Sequence, residues 1–273
     1  MMEIQINNVD ELFRRINEFP NNFLYRGQAN SAWPLQSSLE RILGHTWAND
    51  TAQSFEDFSL MKFKSKFHLY DRENIQPTSK LSWLSLMQHY GVPTRLLDFS
   101  ESPYIALYFA LESYNPQLGY PFSLFAIDYS STLTNSIEHI KKIDSGFKET
   151  IESINEKKDQ IFDETVDRFC YDIIWVTEPI LPNARLDRQA GSFLLSGNRG
   201  KRIEEVLSSQ VYKDVEVYKF IIPSDLYSGV FAALRKMNIT SKTLYGDLDG
   251  VARGIKMEMQ VYSSVPTKNQ PAR

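Results

Sequence analysis

Apolar residues recur along the chain with two different periods, and the change from one to the other predicts helices that alternate with strands. Apolar positions three or four residues apart are typical of helices with one buried face. They occur in residues 10–19, 52–70, 81–90 and 102–114. Runs rich in aromatic and β-branched residues are typical of strands. They occur in residues 23–25, 122–129 and 217–223. We therefore expect an α/β fold of the mixed α+β kind, with a small central mixed sheet and surrounding helices in a single domain.

A charged segment, residues 138–168, interrupts this alternation. It carries fifteen charged residues, and its apolar residues are spaced by three or four. These apolar residues are Ile140, Ile143, Phe147, Ile151 and Ile154. The pattern predicts an amphipathic helix or helical pair with a solvated outer face, inserted into a domain that spans residues 1–264. Residues 265–273 are mostly polar and predict a disordered tail.

Composition and charge exclude some of the classes of protein to which this chain could belong. Of the 273 residues, 42% are apolar, which is enough for a substantial core and excludes a disordered chain. Thirty Lys and Arg against 34 Asp and Glu give a net charge of −4, which argues against binding nucleic acid or anionic lipid through the overall field. The net charge does not exclude a local basic patch that binds nucleic acid or anionic lipid. We expect a cytoplasmic protein without a membrane partner, because the sequence has neither an apolar leader nor a run of about 18 apolar residues.

Metal and disulfide chemistry have few candidate ligands. Cys170 is the single cysteine, so an intramolecular disulfide and a cysteine zinc cage are excluded and a reducing compartment is favoured. Three of the four histidines lie apart from one another on ordinary segments, namely His45, His68 and His139. Asp247 and Asp249 form a D-x-D-G run that could bind a divalent cation, but the other ligands of a calcium loop are missing and helix capping is the commoner role. We expect no metal site.

The first candidate site is the run Tyr25-Arg26-Gly27-Gln28, at the predicted end of a strand. A guanidinium held beside a glycine suits a phosphate or carboxylate, which it can bind through two parallel charge-assisted hydrogen bonds. Gly27 would end the strand and let the backbone approach another element closely. The alternative is an Arg26 that pairs with a carboxylate in the core.

The densest run of reactive side chains is residues 88–98. His89 can titrate near neutrality, Arg95 can bind an anion, and Asp98 can orient either of them. Gly91 can supply the left-handed residue that ends the preceding helix, and a proline two residues later blocks its continuation. The alternative is a capping or buried histidine next to a local salt bridge.

A third run, residues 185–193, places Gln189 two residues before Gly191, where a side-chain amide and a closely approaching backbone could meet a ligand. The loop at 198–202 adds three positive charges that could contact a phosphate, although a solvated loop is the commoner outcome. The usual motifs of phosphate loops, Rossmann folds, hydrolase elbows and zincins are absent from the sequence.

Four segments carry a resemblance to a known family, and the first three contain the three candidate runs described above. They are FLYRGQANSAWPLQSSLERI, LSLMQHYGVPTRLLDFSESPYIALYFAL, NARLDRQAGSFLLSG and TLYGDLDGVA. Together they resemble the FRG domain family, named for a Phe-Arg-Gly-like motif that Tyr25-Arg26-Gly27 matches with tyrosine for phenylalanine. The resemblance spans roughly residues 20–255, and HYGVPTRLLDFS is its most specific part. FRG domains occur in bacterial and phage-related proteins.

The same layout looks distantly like the three motifs of ADP-ribosyltransferases. That similarity implies that Arg26 holds the phosphates of NAD and that His89 and Arg95 contact nucleotide or acceptor. Gln189 would stand where a catalytic acid is expected, and because Gln cannot act as a base, Asp98 or Glu101 would supply the carboxylate. The expected catalytic residues are thus Arg26, His89, Asp98 and Gln189. The expected substrate-binding residues are Tyr25, Gly27, Gln28, Tyr90, Thr94, Arg95 and Gly191.

Three hypotheses of function follow from these residues. The first is an enzyme that uses NAD as substrate, either transferring ADP-ribose to a protein or nucleic-acid acceptor or hydrolysing NAD, as a toxin or in anti-phage defence. The second is a non-catalytic module whose pocket binds a nucleotide or nucleic acid. The third is a metal-dependent nuclease that uses Asp98, Asp247 and Asp249.

Overall fold

A mixed seven-stranded sheet organises the part of the chain that the computed structural model describes, residues 1–70 and 76–264. The strands are β1 (Met2–Gln5), β2 (Phe23–Gln28), β3 (Leu97–Ser100), β4 (Phe122–Asp128), β5 (Ile174–Thr177), β6 (Gly191–Ser196) and β7 (Val217–Ile222). Their order across the sheet is β1-β7-β4-β2-β3-β6-β5. Strands β1 and β7 are parallel and the other neighbours are antiparallel. This architecture confirms the expected mixed α/β class.

Thirteen α-helices surround the sheet in the described ranges. They are α1 (Val9–Asn17), α2 (Ser38–Leu43), α3 (Asn49–Phe67), α4 (Lys80–His89), α5 (Pro103–Glu112), α6 (Tyr129–Ile143), α7 (Ile151–Glu156), α8 (Lys158–Ile161), α9 (Ala184–Arg188), α10 (Ile203–Leu207), α11 (Tyr227–Lys236), α12 (Ser241–Tyr245) and α13 (Leu248–Ser264). Residues Phe162–Asp167 continue α8 as a π-helix. Among the helices of the described ranges, none combines the length and apolarity that a membrane crossing requires.

Local residues set the ends of the two helices nearest the candidate site. Ser79 and Ser102 cap α4 and α5 by accepting hydrogen bonds from backbone N–H groups of their first turns. Gly91 has φ = +79°, the left-handed conformation predicted for it just after α4. Both helices therefore begin and end close to where the sequence predicts.

Strand β2 differs from the prediction because it does not end at Gly27. Gly27 and Gln28 pair with Leu124 and Ser123 of β4, so the hydrogen-bonded ladder carries the strand on to Gln28. The expected close approach is confirmed: a Cβ on Gly27 would lie 1.9 Å from the carbonyl oxygen of Ala106 in α5. The glycine lets α5 lie directly on the sheet.

The charged segment 138–168 is helical, but its first helix, α6, already begins at Tyr129. Ile140, Phe147 and Ile154 are buried, whereas Ile143 and Ile151 are exposed. Short pieces α7, α8 and the π-helix replace the predicted single helix or helical pair. The predicted tail at 265–273 lies outside the described residues.

Buried side chains alternate between the two faces of the sheet. One face carries a single hydrophobic cluster that includes Leu24, Phe99, Phe125 and Leu194. The other face carries two clusters: one joins β2 and β4 to α1, α5 and α11–α13, and the second joins β5 and β6 to α4 and α6–α8. The division between these two clusters is where the candidate site lies.

Candidate functional site

A cleft of about 370 Å³ lies over strands β2, β3 and β6, between α5 on one side and α4 and α9 on the other. Residues of both clusters on this face line it, among them Tyr25 and Ala106 from the first and Leu186 and Phe193 from the second. The cleft brings together nine charged, polar or glycine residues from the three candidate runs. They are Arg26, Gly27, Gln88, His89, Gly91, Asp98, Arg185, Gln189 and Gly191.

Arg26 projects from β2 and is held by a backbone group instead of a core carboxylate. Its Nη1 donates a 2.6 Å hydrogen bond to the carbonyl oxygen of Asp98, while its buried Nε makes no hydrogen bond with any described residue. Burial lowers the pKa of Arg26 to about 10; the charge of Asp98 opposes this shift and that of Arg41 adds to it. The guanidinium is therefore still charged at neutral pH and has donors available to a ligand.

The carboxylate of Asp98 is oriented by a short relay from the bend after α4. Fully buried Thr94 donates through Oγ1 to Oε1 of Gln88 at 2.7 Å, which leaves the amide nitrogen of Gln88 facing the cleft. That nitrogen donates to Oδ2 of Asp98 at 2.9 Å and to the carbonyl oxygen of Leu96 at 3.2 Å. Thr94 thus lies behind the cleft lining, and Gln88, which the sequence did not single out as a site residue, contacts the carboxylate directly.

His89 is the last residue of α4 and presents a neutral imidazole to the cleft. Burial lowers its pKa below 6.5, Arg185 lowers it further, and Asp247 opposes the shift. Its buried Nδ1 makes no hydrogen bond within the described residues. The neighbouring Tyr90 is 66% exposed and lies edge-on to the His89 ring at 4.9 Å, outside the lining of the cleft.

Gln189 lies at a strained connection between α9 and β6. Its buried Nε2 has no hydrogen-bond partner among the described residues, while its carbonyl oxygen accepts a 2.7 Å bond from Oγ of Ser100. The next residue, Ala190, has φ = +42°, a left-handed conformation that costs energy for a residue with a Cβ. A Cβ on Gly191 would lie 2.4 Å from Cδ1 of Leu186, the end of a flexible side chain, and 3.1 Å from the carbonyl oxygen of Leu186, so β6 begins in close contact with α9.

Arg185 is a second cation of the cleft and stands on α9, opposite β2. Its guanidinium lies over the ring of Tyr245 at 4.5 Å, and it forms no ion pair within the described ranges. The hydroxyl of Tyr245 donates to Oε2 of Glu112 at 2.7 Å, which fixes the ring beneath the cation. Arg185 is only four residues before Gln189 in the sequence, so its proximity to the third run could be predicted. The ring on which Arg185 stacks belongs to α12, and nothing in the sequence predicts that contact.

Arg95 does not line the cleft, in contrast to the expectation that it binds substrate. It is buried, with Nε 3.1 Å from Oε2 of Glu56 and Nη2 bonded to Asp167. Burial alone would raise the pKa of Asp167, but Arg95, Lys80 and Arg199 together hold it below its ordinary value. Arg95 is therefore part of a buried ion-pair network that joins α3 and α4 to the π-helix.

Gln28, also expected to bind substrate, is buried outside the cleft lining. Its Nε2 donates to the carbonyl oxygen of Pro34 at 3.1 Å and ties the end of β2 to the following loop. Glu101, the second candidate carboxylate, is exposed and does not line the cleft.

The remaining candidate runs have structural partners. Asp247 caps α13 by accepting from the backbone N–H of Gly250 at 2.9 Å, and Asp249 pairs with Arg253 at 2.7 Å. Among residues 1–70 and 76–264, no group of three or more His, Cys, Asp or Glu side chains is placed to hold a metal ion. In the basic loop at 198–202, Arg199 and Lys201 form ion pairs with aspartates of the protein itself. The geometry therefore lends no support to a metal-dependent nuclease.

Comparison with known families identifies the part of the chain that supplies β2, β3, α4 and α5 to this cleft. Residues 21–118 match the family model of the FRG domain. The chain contains an FRG domain. Comparisons with curated proteins and with solved structures gave no match. The FRG match runs from β2 past α5 and includes Arg26, His89 and Asp98, whereas Arg185 and Gln189 come from the chain beyond it. The cleft is thus shared between the FRG domain and the C-terminal half of the chain.

Proposed function

We propose that the cleft binds NAD and that the protein cleaves the bond between nicotinamide and ribose, passing ADP-ribose to a macromolecule or to water. The observation that carries this proposal is that three buried side-chain nitrogens, each on a residue that lines the cleft, have no hydrogen-bond partner among the described residues. They are Nε of Arg26, Nδ1 of His89 and Nε2 of Gln189. A buried polar group without a partner costs about 1–3 kcal/mol, so a ligand rich in hydrogen-bonding atoms would relieve this cost.

The charges of the cleft favour a substrate with phosphates. Arg26 and Arg185 both line it, and neither is neutralised by an ion pair in the described ranges. A guanidinium matches two phosphate oxygens with two parallel N–H donors. Two such groups suit a diphosphate, which is the central part of NAD. The cleft volume of about 370 Å³ falls in the range of small-molecule sites.

The proposed reaction uses Asp98 and His89. The bond from the nicotinamide nitrogen to C1′ of the ribose breaks, its electron pair leaves with nicotinamide, and a cation of oxocarbenium character forms on the ribose. The carboxylate of Asp98, held by Gln88, stabilises that positive charge. A neutral imidazole at His89 accepts the proton that water or an acceptor hydroxyl loses when its oxygen bonds to C1′.

A second candidate function is a non-catalytic nucleotide-binding module. One observation favours it: among the described residues, Asp98 is the single carboxylate that lines the cleft, it is exposed to solvent, and Gln189 stands where the transferase resemblance expects an acid. Such a module would use the same two arginines for the phosphates and would release no nicotinamide. A role as a toxin or in anti-phage defence belongs to the first function, the enzyme that uses NAD.

The test is nicotinamide release from NAD by the purified protein, alone and with cell lysate, DNA or RNA. We expect Arg26→Ala to abolish release, because the phosphate anchor is lost, and Asp98→Asn to lower kcat more than it changes KM, because the carboxylate acts on the transition state. Arg14→Ala serves as the control, since that arginine is exposed on α1 and pairs only with Glu18.

Three outcomes separate the two functions. Release that Arg26→Ala abolishes and Arg14→Ala leaves intact supports the enzyme. Normal turnover in both Arg26→Ala and Asp98→Asn would contradict the assignment of the cleft. No release under any condition, together with nucleotide binding that Arg26→Ala abolishes, would favour the binding module. Circular dichroism of each variant checks that the fold is intact.

A further inference from the structure

Helix α13 carries a continuous apolar stripe that no described residue covers. Its members are between 43% and 85% exposed: Leu248, Val251, Ile255, Met259 and Tyr262. Monomeric proteins rarely expose a contiguous apolar patch of more than a few hundred Å². A stripe of five large side chains along one helix therefore indicates a contact that the single chain does not supply.

The orientation of α13 is set by its opposite face. Met257 is buried in the hydrophobic cluster over β2 and β4. A Cβ on Gly250 would lie 2.7 Å from the carbonyl oxygen of Ser241, so the helix passes close to α12 at this point. Arg253 pairs with Glu112 of α5 as well as with Asp249 of its own helix. Because this face is held by packing and ion pairs, the stripe must point away from the body of the protein.

We propose that α13 is the interface of a symmetric dimer, in which the helices of two copies of this chain pack antiparallel across the stripe. The spacing of the apolar residues in the stripe supports a second copy of this chain as the partner. Successive members are separated by 3, 4, 4 and 3 residues, a series that reads the same in both directions about Ile255. A two-fold axis at Ile255 therefore brings each apolar level opposite another: Leu248 opposite Tyr262, Val251 opposite Met259, and Ile255 opposite itself. Such self-complementarity is what a two-fold interface requires.

The size of the stripe fits the same arrangement. From the exposed fractions of its five side chains, the stripe offers roughly 700 Å² per chain, close to the roughly 800 Å² per partner of a standard interface. The mean spacing of 3.5 residues is that of helices packed side by side over several turns. This inference does not depend on the chemistry of the cleft.

The first test is the mass of the full chain in solution, measured by light scattering during size-exclusion chromatography over a range of concentrations. We expect about 63 kDa, twice the 31.6 kDa of one chain. Ile255→Asp places two carboxylates against each other on the axis and is expected to return the mass to that of one chain. Met61→Asp is the matched control, because Met61 is 57% exposed on α3 and Ile255 is 56% exposed on α13.

The second test reports the direction of the helices. With Ile255→Cys, the two introduced thiols lie next to each other on the axis, so mild oxidation is expected to link the chains. With Val251→Cys alone, the thiols lie eight residues apart along antiparallel helices, about 12 Å, and are expected not to link. Mixing Val251→Cys with Met259→Cys protein is expected to restore the link. The parent protein, which has only Cys170, is the control for each reaction.

Four results would overturn the proposal. These are a mass of one chain at every concentration, a dimer that survives Ile255→Asp, a dimer that Met61→Asp disrupts as strongly, and self-linking of Val251→Cys, which would indicate parallel helices. Circular dichroism of Ile255→Asp and thermal unfolding of the same variant check that a loss of dimer is not a loss of fold. None of these readouts involves NAD, so failure here is distinct from failure of the proposed enzyme.

Discussion

The glycine of the Tyr-Arg-Gly run is open to a quantitative test, because its replacement by alanine creates a defined collision. A Cβ on Gly27 would lie 1.9 Å from the carbonyl oxygen of Ala106 and 2.8 Å from the amide nitrogen of Ala110. Both atoms belong to the backbone of α5 and cannot rotate away, and Leu107 and Leu111 hold the helix in the core without exposure. Relief requires α5 to move off the sheet.

The size of that movement sets the expected loss of stability. Separation from 1.9 Å to an ordinary contact of 3.4 Å needs a shift of about 1.5 Å, which forfeits half or more of the dispersion energy of the atoms pulled apart. Overpacking of a core costs about 1–3 kcal/mol, and because the obstacle is backbone we expect Gly27→Ala to lie at the upper end, about 3 kcal/mol. For a chain of this size, that corresponds to a midpoint lowered by about 6–12 °C.

The measurement is thermal and urea unfolding followed by circular dichroism. Gly254→Ala is the matched control, since its Cβ would meet Oγ of Ser241 at 3.4 Å, an ordinary contact, in the interior of α13. There alanine is expected to stabilise by up to about 1 kcal/mol. An unchanged midpoint for Gly27→Ala would refute the argument that α5 rests on the glycine. A lowered midpoint would mean that any activity lost by this variant reports on packing and says nothing about ligand contact.

Two further predictions concern charge. Arg95→Met removes a cation from Glu56 and Asp167, and we expect a loss of about 3 kcal/mol in urea unfolding at pH 7, the low end for a broken buried pair because Lys80 still contacts both carboxylates. A loss close to zero would show that the network is not stabilising. Because burial lowers the pKa of His89 below 6.5, the folded state binds fewer protons there than the unfolded state, and stability falls as the pH drops below 6.5. His89→Gln is expected to flatten the plot of unfolding midpoint against pH in that window; an unchanged slope would contradict the shift.

Local structure near the site followed closely from local residues. The helix predicted over residues 102–114 begins at Pro103 after its cap Ser102, and Gly91 predicted the left-handed end of α4, because a cap satisfies N–H groups of its own first turn and a left-handed residue favours glycine wherever it occurs. Strands β1, β5 and β6 were missed. The edge strand β1 is held by its pairing with β7, more than 200 residues away in sequence. Strands β5 and β6 are short and buried on both faces, so they show no alternation of apolar and polar residues, and their pairing is also decided by strands outside the local segment.

The class of fold, the FRG resemblance and the kinds of side chain available to a site could all be predicted from local sequence, because period, capping and motif are properties of neighbouring residues. Which arginines line the cleft could not be predicted in this way. Arg95 and Arg185 each lie beside a candidate run, yet Arg95 is taken up by Glu56 and Asp167, whereas Arg185 stacks on Tyr245 and faces the cleft. That choice depends on carboxylates and rings that the fold brings from distant parts of the chain.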